Sequence, residues 1–472
     1  MASKNLFYSY QLAKGLIFPF IIGIEASCDT KNKVPDRPNI LVLMTDQQSA
    51  SMMSCTGNKW LKTPAMDEIA SNGIRFSHAY ATNPVSVPSR FSLQTGRYPS
   101  EIGMVENARI GIDKDKVISM YSGAIGNVFR NGGYQTYYGG KVHMPVTGSD
   151  VNVLGYDLLT LDERDSLARV CADFLMNRRK NDKPFLLFAS FINPHDICYH
   201  AIRWATPDDG LARATPKELD EALKLPEGIS EEEFFSKYCP PLPDNHMPMK
   251  GEPESIDSLL RVRMFRQIVR EKWTEREWRM HRWAYMRLTE RVDAQIGIVM
   301  KALKESGLSE NTAVIFTSDH GDLDASHKLE HKTILYEEAA NIPFIISYPW
   351  MKNKGIADDE NLISNGLCLL PTLCDFAGIE PPPGIAGMSV LPLIEGNRDN
   401  NRTKSIFLET EAGNMIHTGR YKYELDNTSK NREMFVDLSA DPGETVNLIG
   451  SPEYQHVIDS LRIVLLTHLQ LL

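Results

Sequence analysis

The clearest pattern in the chain is an apolar run, Asn39-Ile40-Leu41-Val42-Leu43-Met44, that stops at Thr45-Asp46-Gln47-Gln48. A run with so little polar alternation suits a strand buried on both faces, as in a parallel sheet. Thr63-Pro64 then offers a cap and a first-turn proline, predicting a helix through Ala70 that closes near Asn72-Gly73. The pattern returns. Thr136-Tyr137-Tyr138 leads into Gly139-Gly140-Lys141, and Pro184-Phe185-Leu186-Leu187-Phe188-Ala189-Ser190-Phe191 leads into Asn193-Pro194-His195. An amphipathic helix near 287–304 precedes Ala313-Val314-Ile315-Phe316-Thr317, which ends in Ser318-Asp319-His320-Gly321. Such alternation predicts an α/β fold, a large and mostly parallel sheet sandwiched by helices. The polar clusters all follow strands, where ligands of such sheets bind, so they are expected to share one site.

Two regions break the pattern. Residues 198–283 are rich in Pro, Glu and Arg and lack clean strands. They read as an insertion within a main domain spanning 38–395. Beyond that come short alternating runs, Ser405-Ile406-Phe407-Leu408 and Tyr421-Lys422-Tyr423-Glu424-Leu425. They predict a smaller C-terminal α+β subdomain, 396–472, on a short antiparallel sheet with a terminal helix near 451–469.

Composition adds limits. The 472 residues carry a formal charge of −10, which argues against general nucleic-acid binding. A local group of Lys and Arg can still receive an anion. Lys4 and Lys14 precede an apolar run at 15–24, too short to span a bilayer and suited to a signal-peptide core. Ala26-Ser27-Cys28 resembles the end of a bacterial lipoprotein signal, although Glu25 stands where that pattern prefers an aliphatic residue. Residues 1–28 therefore read as an export signal of lipoprotein type, and 29–37 as a linker. The implied location is periplasmic or outer-membrane and cell-surface, with membrane contact only through that lipid. The seven cysteines are scattered without a CxxC pair, so neither a disulfide framework nor a zinc site is indicated.

The chemistry begins at Ser86-Val87-Pro88-Ser89-Arg90-Phe91-Ser92-Leu93-Gln94-Thr95-Gly96-Arg97. Pro88 suits a helix's first turn, which puts Ser86 at a helix N-terminus, where anions are favoured. Taken alone, Ser86 would be a helix cap. The string as a whole resembles the type I sulfatase signature, and the likeness extends over nearly the whole chain after Arg37. The resemblance implies the alkaline-phosphatase-like fold and oxidation of Ser86 to formylglycine. A serine hydroxyl is a poor nucleophile without activation. A hydrated aldehyde offers one hydroxyl to attack sulfur and a second to expel sulfate. Arg90 would fix that hydrate through its forked donors.

The same resemblance assigns Asp46, Gln47, Asp319 and His320, with Ser86, to one divalent cation. Mostly oxygen donors suit Ca2+ best, with Mg2+ or Mn2+ as alternatives. Gln47 and His320 are permitted variants, and the His320 form is similar to the choline-sulfatase and phosphonate-monoesterase branch as well as some carbohydrate sulfatases. Gly140-Lys141-Val142-His143 and Asn193-Pro194-His195 resemble further family motifs, as does Lys332 within His331-Lys332-Thr333-Ile334-Leu335. Lys141 and Lys332 are implied to hold sulfate oxygens. His143 is implied to deprotonate the second hydroxyl, and His195 with Lys332 to protonate the leaving alcohol. Asp196, His200, His327 and His331 are candidate substrate-pocket residues, for which surface or supporting places serve equally well. Arg97 is expected to buttress Asp46 or Asp319. Leu370-Pro371-Thr372-Leu373 and Asp441-Pro442-Gly443-Glu444 resemble family landmarks without chemistry.

The resemblance implies hydrolysis of a sulfated carbohydrate. Its partners would be an anaerobic radical-type maturing enzyme, acting on Ser86 before export, and the export machinery. A phosphonate or phosphate ester hydrolase on the same fold, a choline-sulfatase-like enzyme, and an inactive sulfated-glycan-binding relative are the competing readings.

Overall fold

The computed structural model describes residues 37–108, 112–179, 181–396, 404–426 and 430–471. The expected signal peptide and lipidated Cys28 lie outside the described residues.

Eight strands form the main sheet: β1 (Asn39–Asp46), β2 (Gly73–Tyr80), β3 (Gln135–Gly140), β4 (Asp157–Thr160), β5 (Phe185–Pro194), β6 (Thr312–Ser318), β7 (Phe344–Ser347) and β8 (Ile356–Ser364). Their order is β4-β3-β5-β1-β6-β7-β2-β8. Within this sheet β7 runs antiparallel to both neighbours, β6 and β2, and the other pairings are parallel. The centre is buried on both faces. Ile40, Val42 and Met44 of β1 enter one apolar cluster, and Leu41 and Leu43 enter the other. That explains the unbroken apolar run in the sequence.

Register sets the site. Met44 pairs with Ser190 and Thr317, Thr45 with Ser318, and Gly140 with Ser190. The residues that follow β3, β5, β1 and β6 therefore emerge side by side along one edge of four adjacent strands. Helix Ser86–Thr95 lies wholly buried above that edge and caps its C-terminus with Gly96 in the left-handed region.

The insertion is helical, with Cys198–Ala205, Lys217–Ala222, Glu254–Val262 and Met264–Lys272 among its helices. The long helix starts at Glu275, inside the expected insertion, and runs to Glu305. Thr274 and Glu277 form a capping box that fixes this start. Beyond it, β9 (Ile406–Glu409), β10 (Gly413–His417), β11 (Tyr421–Asp426) and β12 (Glu433–Asp437) form the antiparallel C-terminal sheet, order β12-β11-β10-β9. Helix Gln455–Leu471 packs Ile458, Leu461 and Leu465 against it.

Candidate active site

Arg90 organises the centre from the second turn of its helix. Its Nη2 donates to Asp46 Oδ2 at 2.7 Å and its Nε to Asp319 Oδ2 at 2.9 Å. Its Nη1 donates to the Lys141 carbonyl and to Ser190 Oγ, both at 2.8 Å. One guanidinium thus ties together residues that belong to, or directly follow, four strands. Lys141 Nζ also meets Asp46 Oδ2 at 2.7 Å.

Ser86 sits in the first turn of the same helix, 1% exposed. Its Oγ lies 2.9 Å from His320 Nε2 and 3.3 Å from Lys332 Nζ. His320 Nδ1 donates to the Gly321 carbonyl at 2.9 Å. That bond fixes the tautomer and leaves the Nε2 lone pair facing Ser86. Gln47, at φ 67°, completes the wall. Its backbone N–H donates to Asp319 Oδ1 at 3.1 Å, and its Oε1 accepts from Lys332 Nζ at 3.0 Å.

Burial and charge compete here. Burial pushes the Asp46 carboxyl up, but Lys141 and Arg90 outweigh it and hold Asp46 well below the usual carboxylate range. Burial and the Asp46 charge push Asp319 up. Burial, then the Lys141 charge, lowers His143 to about 3 and holds His195 well below the usual imidazole value. Burial and Lys332 hold His320 low as well. All three imidazoles are therefore neutral bases.

The donor set fits one divalent cation. Asp46, Asp319 and His320 each offer an atom within 4.8 Å of the others, and among the described residues no other such group of acids, His or Cys is present. Asp46 Oδ1 is buried without a hydrogen-bond partner. A carboxylate oxygen sealed from water in that way calls for a cation.

Of the residues expected from sequence, Asp46, Gln47, Ser86, Arg90, Lys141, Asp319, His320 and Lys332 are in mutual contact. His143 and His195 border them, in the field of the same two lysines. His331 adjoins Lys332, touches Glu330 and packs on Phe265. Three further candidates lie outside that set of contacts. The Asp196 carboxylate is buried and taken by a two-point bond from Arg164, at 2.7 and 3.1 Å. His200 contacts His281 at 3.4 Å and leans on Trp273. His327 stacks on Tyr336 at 3.9 Å, beside Asn245. Arg97 also differs: it binds Glu101 and the Pro383 carbonyl, away from both acids.

Sequence reasoning missed the groups behind Gln47. Tyr285 OH donates to the Gln47 carbonyl, Cys198 Sγ donates to its Oε1, and Asp322 accepts from its Nε2. Asp322 follows Asp319-His320-Gly321 directly, so the sequence held a signal for that one.

A buried serine at a helix N-terminus, ringed by two acids, a metal-competent histidine and two lysines, defines a hydrolase built for an anionic ester. The chain belongs to the sulfatase family: residues 38–379 match the Sulfatase family model. Residues 325–470 also match the model described as N-sulphoglucosamine sulphohydrolase, C-terminal. It is 28% identical to a Delta 4,5-hexuronate-2-O-sulfatase of Bacteroides thetaiotaomicron, over 93% of this chain and 90% of that protein. To an N-acetylglucosamine-6-O-sulfatase of the same organism it is 27% identical, over 93% and 88%. A crystal structure of a putative sulfatase from Bacteroides thetaiotaomicron superposes with a TM-score of 0.75 at 27% identity, covering 92% of each chain. The protein is a sulfuric ester hydrolase on the alkaline-phosphatase-like fold.

Proposed function

We propose that the protein removes sulfate from an O-sulfated sugar of a glycan, using formylglycine made from Ser86 and one divalent cation, Ca2+ before Mg2+ or Mn2+. The observation that carries this reading is Ser86 Oγ, buried between His320 Nε2 and Lys332 Nζ. The sugar substrates in the relatives' names support the carbohydrate part. Asp46, Gln47, Asp319 and His320 would hold the cation, which supplies Lewis-acid stabilisation of charge on sulfate oxygens. Formylglycine supplies, as its hydrate, one hydroxyl to attack sulfur and another whose deprotonation releases sulfate.

The chain's own residues do the rest. Arg90 stays charged between Asp46 and Asp319 and orients the nucleophile. Lys141 and Lys332 bind sulfate oxygens. His143 is neutral in the free protein, the form that accepts a proton. Burial, then the lysine charges, holds both histidines neutral; a bound sulfate offsets the lysine charges and so makes a protonated His195 more accessible once substrate is present. His195, with Lys332, then gives the leaving oxygen its proton.

We further propose that residues 1–28 direct export, that an anaerobic radical enzyme converts Ser86 before export, and that Cys28 carries lipid. The chemistry would lie in 38–395, with 198–283 and the 396–472 subdomain shaping the sugar pocket.

Parallel turnover of nitrophenyl sulfate and nitrophenyl phosphonate esters tests the reaction. Sulfate should be faster, and a faster phosphonate sinks the reading. Intact-peptide mass spectrometry of the native protein should show the Ser86 peptide lighter by about two hydrogens, the difference between hydroxyl and aldehyde. A panel of sulfated monosaccharides and glycosaminoglycan disaccharides then identifies the sugar.

A further inference from the structure

Gln47 is an amide standing between groups of opposite kind. An amide has one face that accepts and one that donates, and they are nearly the same size. If its nitrogen faced the cluster, Gln47 would repel a cation there. Something must hold it the other way round.

The contacts show what does. Gln47 Nε2 lies 2.6 Å from Asp322 Oδ2. On its other side, Oε1 lies 3.0 Å from Cys198 Sγ and 3.0 Å from Lys332 Nζ. An ionised carboxylate only accepts, and an ammonium only donates. The oxygen must therefore face Lys332 and the site, and the nitrogen must face Asp322. The Gln47 backbone leaves no slack: its N–H is bound by Asp319 and its carbonyl by Tyr285 OH at 2.7 Å.

Asp322 is held just as firmly. Its Oδ1 accepts from the Asp324 backbone N–H at 2.8 Å, and its own N–H donates to Ser49 Oγ at 3.0 Å. His281 Nε2 stands 3.6 Å from Oδ1, too far for a hydrogen bond. Asp322 is fully buried.

We propose that Asp322 is a positioning residue for the cation site. It turns the Gln47 amide oxygen toward Asp46, Asp319 and His320, and polarises it through the N–H bond. The negative charge absent at Gln47 is thereby supplied one residue further back. This rests on the cation reading made under Proposed function.

The Asp324 N–H makes the idea testable. In Asp322→Asn an acceptor must remain opposite that N–H, which forces the new Nδ2 against Gln47. Gln47 must then offer oxygen to Asn and turn its nitrogen toward the cation. In the double variant Q47E/D322N the same Nδ2 meets a carboxylate, and the second Glu oxygen faces the site. Total charge is unchanged. Q47E alone sets two carboxylates against each other.

Ca2+ titration by calorimetry on the full chain, with thermal melts of each variant, reads this out without turnover. D322N should bind Ca2+ about 10–100-fold more weakly, the usual cost of losing a ligand's orienting partner. Q47E/D322N should regain most of that loss, and should exceed Q47E alone. If D322N does not fold, the comparison of the double variant with Q47E still decides. Wild-type affinity in D322N overturns the proposal, as does a folded double variant that binds no better than the single ones. A wild-type chain that takes up neither Ca2+, Mg2+ nor Mn2+ overturns the cation reading itself, and this one with it.

Discussion

At the scale of residues, Arg90 does more to hold the site together than the serine it accompanies. It is 2% exposed and meets two carboxylates that are fully buried. Removing one partner from such a group leaves buried charge uncompensated. Arg90→Met should therefore lower unfolding free energy by about 3–5 kcal/mol in denaturant titration as well as abolish turnover. Ser86→Ala should abolish turnover with a melting temperature near wild type. His195→Ala should slow sugar sulfates far more than nitrophenyl sulfate, because a nitrophenolate leaves without a proton. Equal losses on both substrates would remove His195 from the leaving-group step. The groups that meet around Arg90 and Ser86 were legible because their types and offsets form a motif. Cys198 and Tyr285 were not, since each reaches the site through a contact with Gln47 from a distant part of the chain. For Asp196, His200 and His327 the sequence left both a pocket and a supporting place open, because polar type near a motif says nothing of which partner holds the group.

At the scale of elements, the strands read from sequence are those at the centre of the main sheet and the alternating ones of the C-terminal sheet. β1, β3, β5 and β6 form the centre of the sheet; β1, β5 and β6 carry apolar runs and β3 the pair Tyr137-Tyr138. β4 and β8 are edges whose side chains are largely exposed, so no apolar run marked them. The segment after β6 is a different case. Asp324, Ala325, His327, Lys328, His331 and Thr333 all have positive φ without being glycine. Such backbone persists only where its surroundings over-determine it. The insertion supplies part of that hold: Arg266 Nη1 donates to the Lys332 carbonyl at 3.0 Å, and Arg266 Nε lies 3.9 Å from Glu330 Oε1. Both side chains are 2% exposed. Arg266→Met should cost about 3 kcal/mol by stranding Glu330, and adding Glu330→Gln should recover part of it. Additive losses in chemical denaturation would show that the pair does not couple.

At the scale of the whole molecule, the C-terminal sheet is fastened to the main one by buried acids and a buried lysine. Lys422 of β11 reaches the Leu335 carbonyl at 2.7 Å and Glu444 at 2.6 Å. Glu409 of β9 accepts from Ser100 N–H at 2.9 Å and Ser100 Oγ at 2.7 Å. Burial pushes the Glu409 and Glu424 carboxyls up to about 7. In the unfolded chain such groups titrate near 4.3. The folded state therefore keeps these protons longer than the unfolded one, so stability falls as pH rises through that interval and the cost is complete above about 7. Each group costs on the order of 3 kcal/mol at its limit. Glu409→Gln isolates one of them. The amide can accept from the Ser100 N–H and donate to the Ser100 hydroxyl, which serves as donor or acceptor, so both bonds survive while the titration is lost. Melts at pH ~4 should nearly coincide for wild type and variant, and at pH ~8 the variant should melt higher. A constant gap at both values, or a variant less stable at the higher one, would mean that Glu409 is ionised throughout and that the junction draws its strength from charge on that carboxylate.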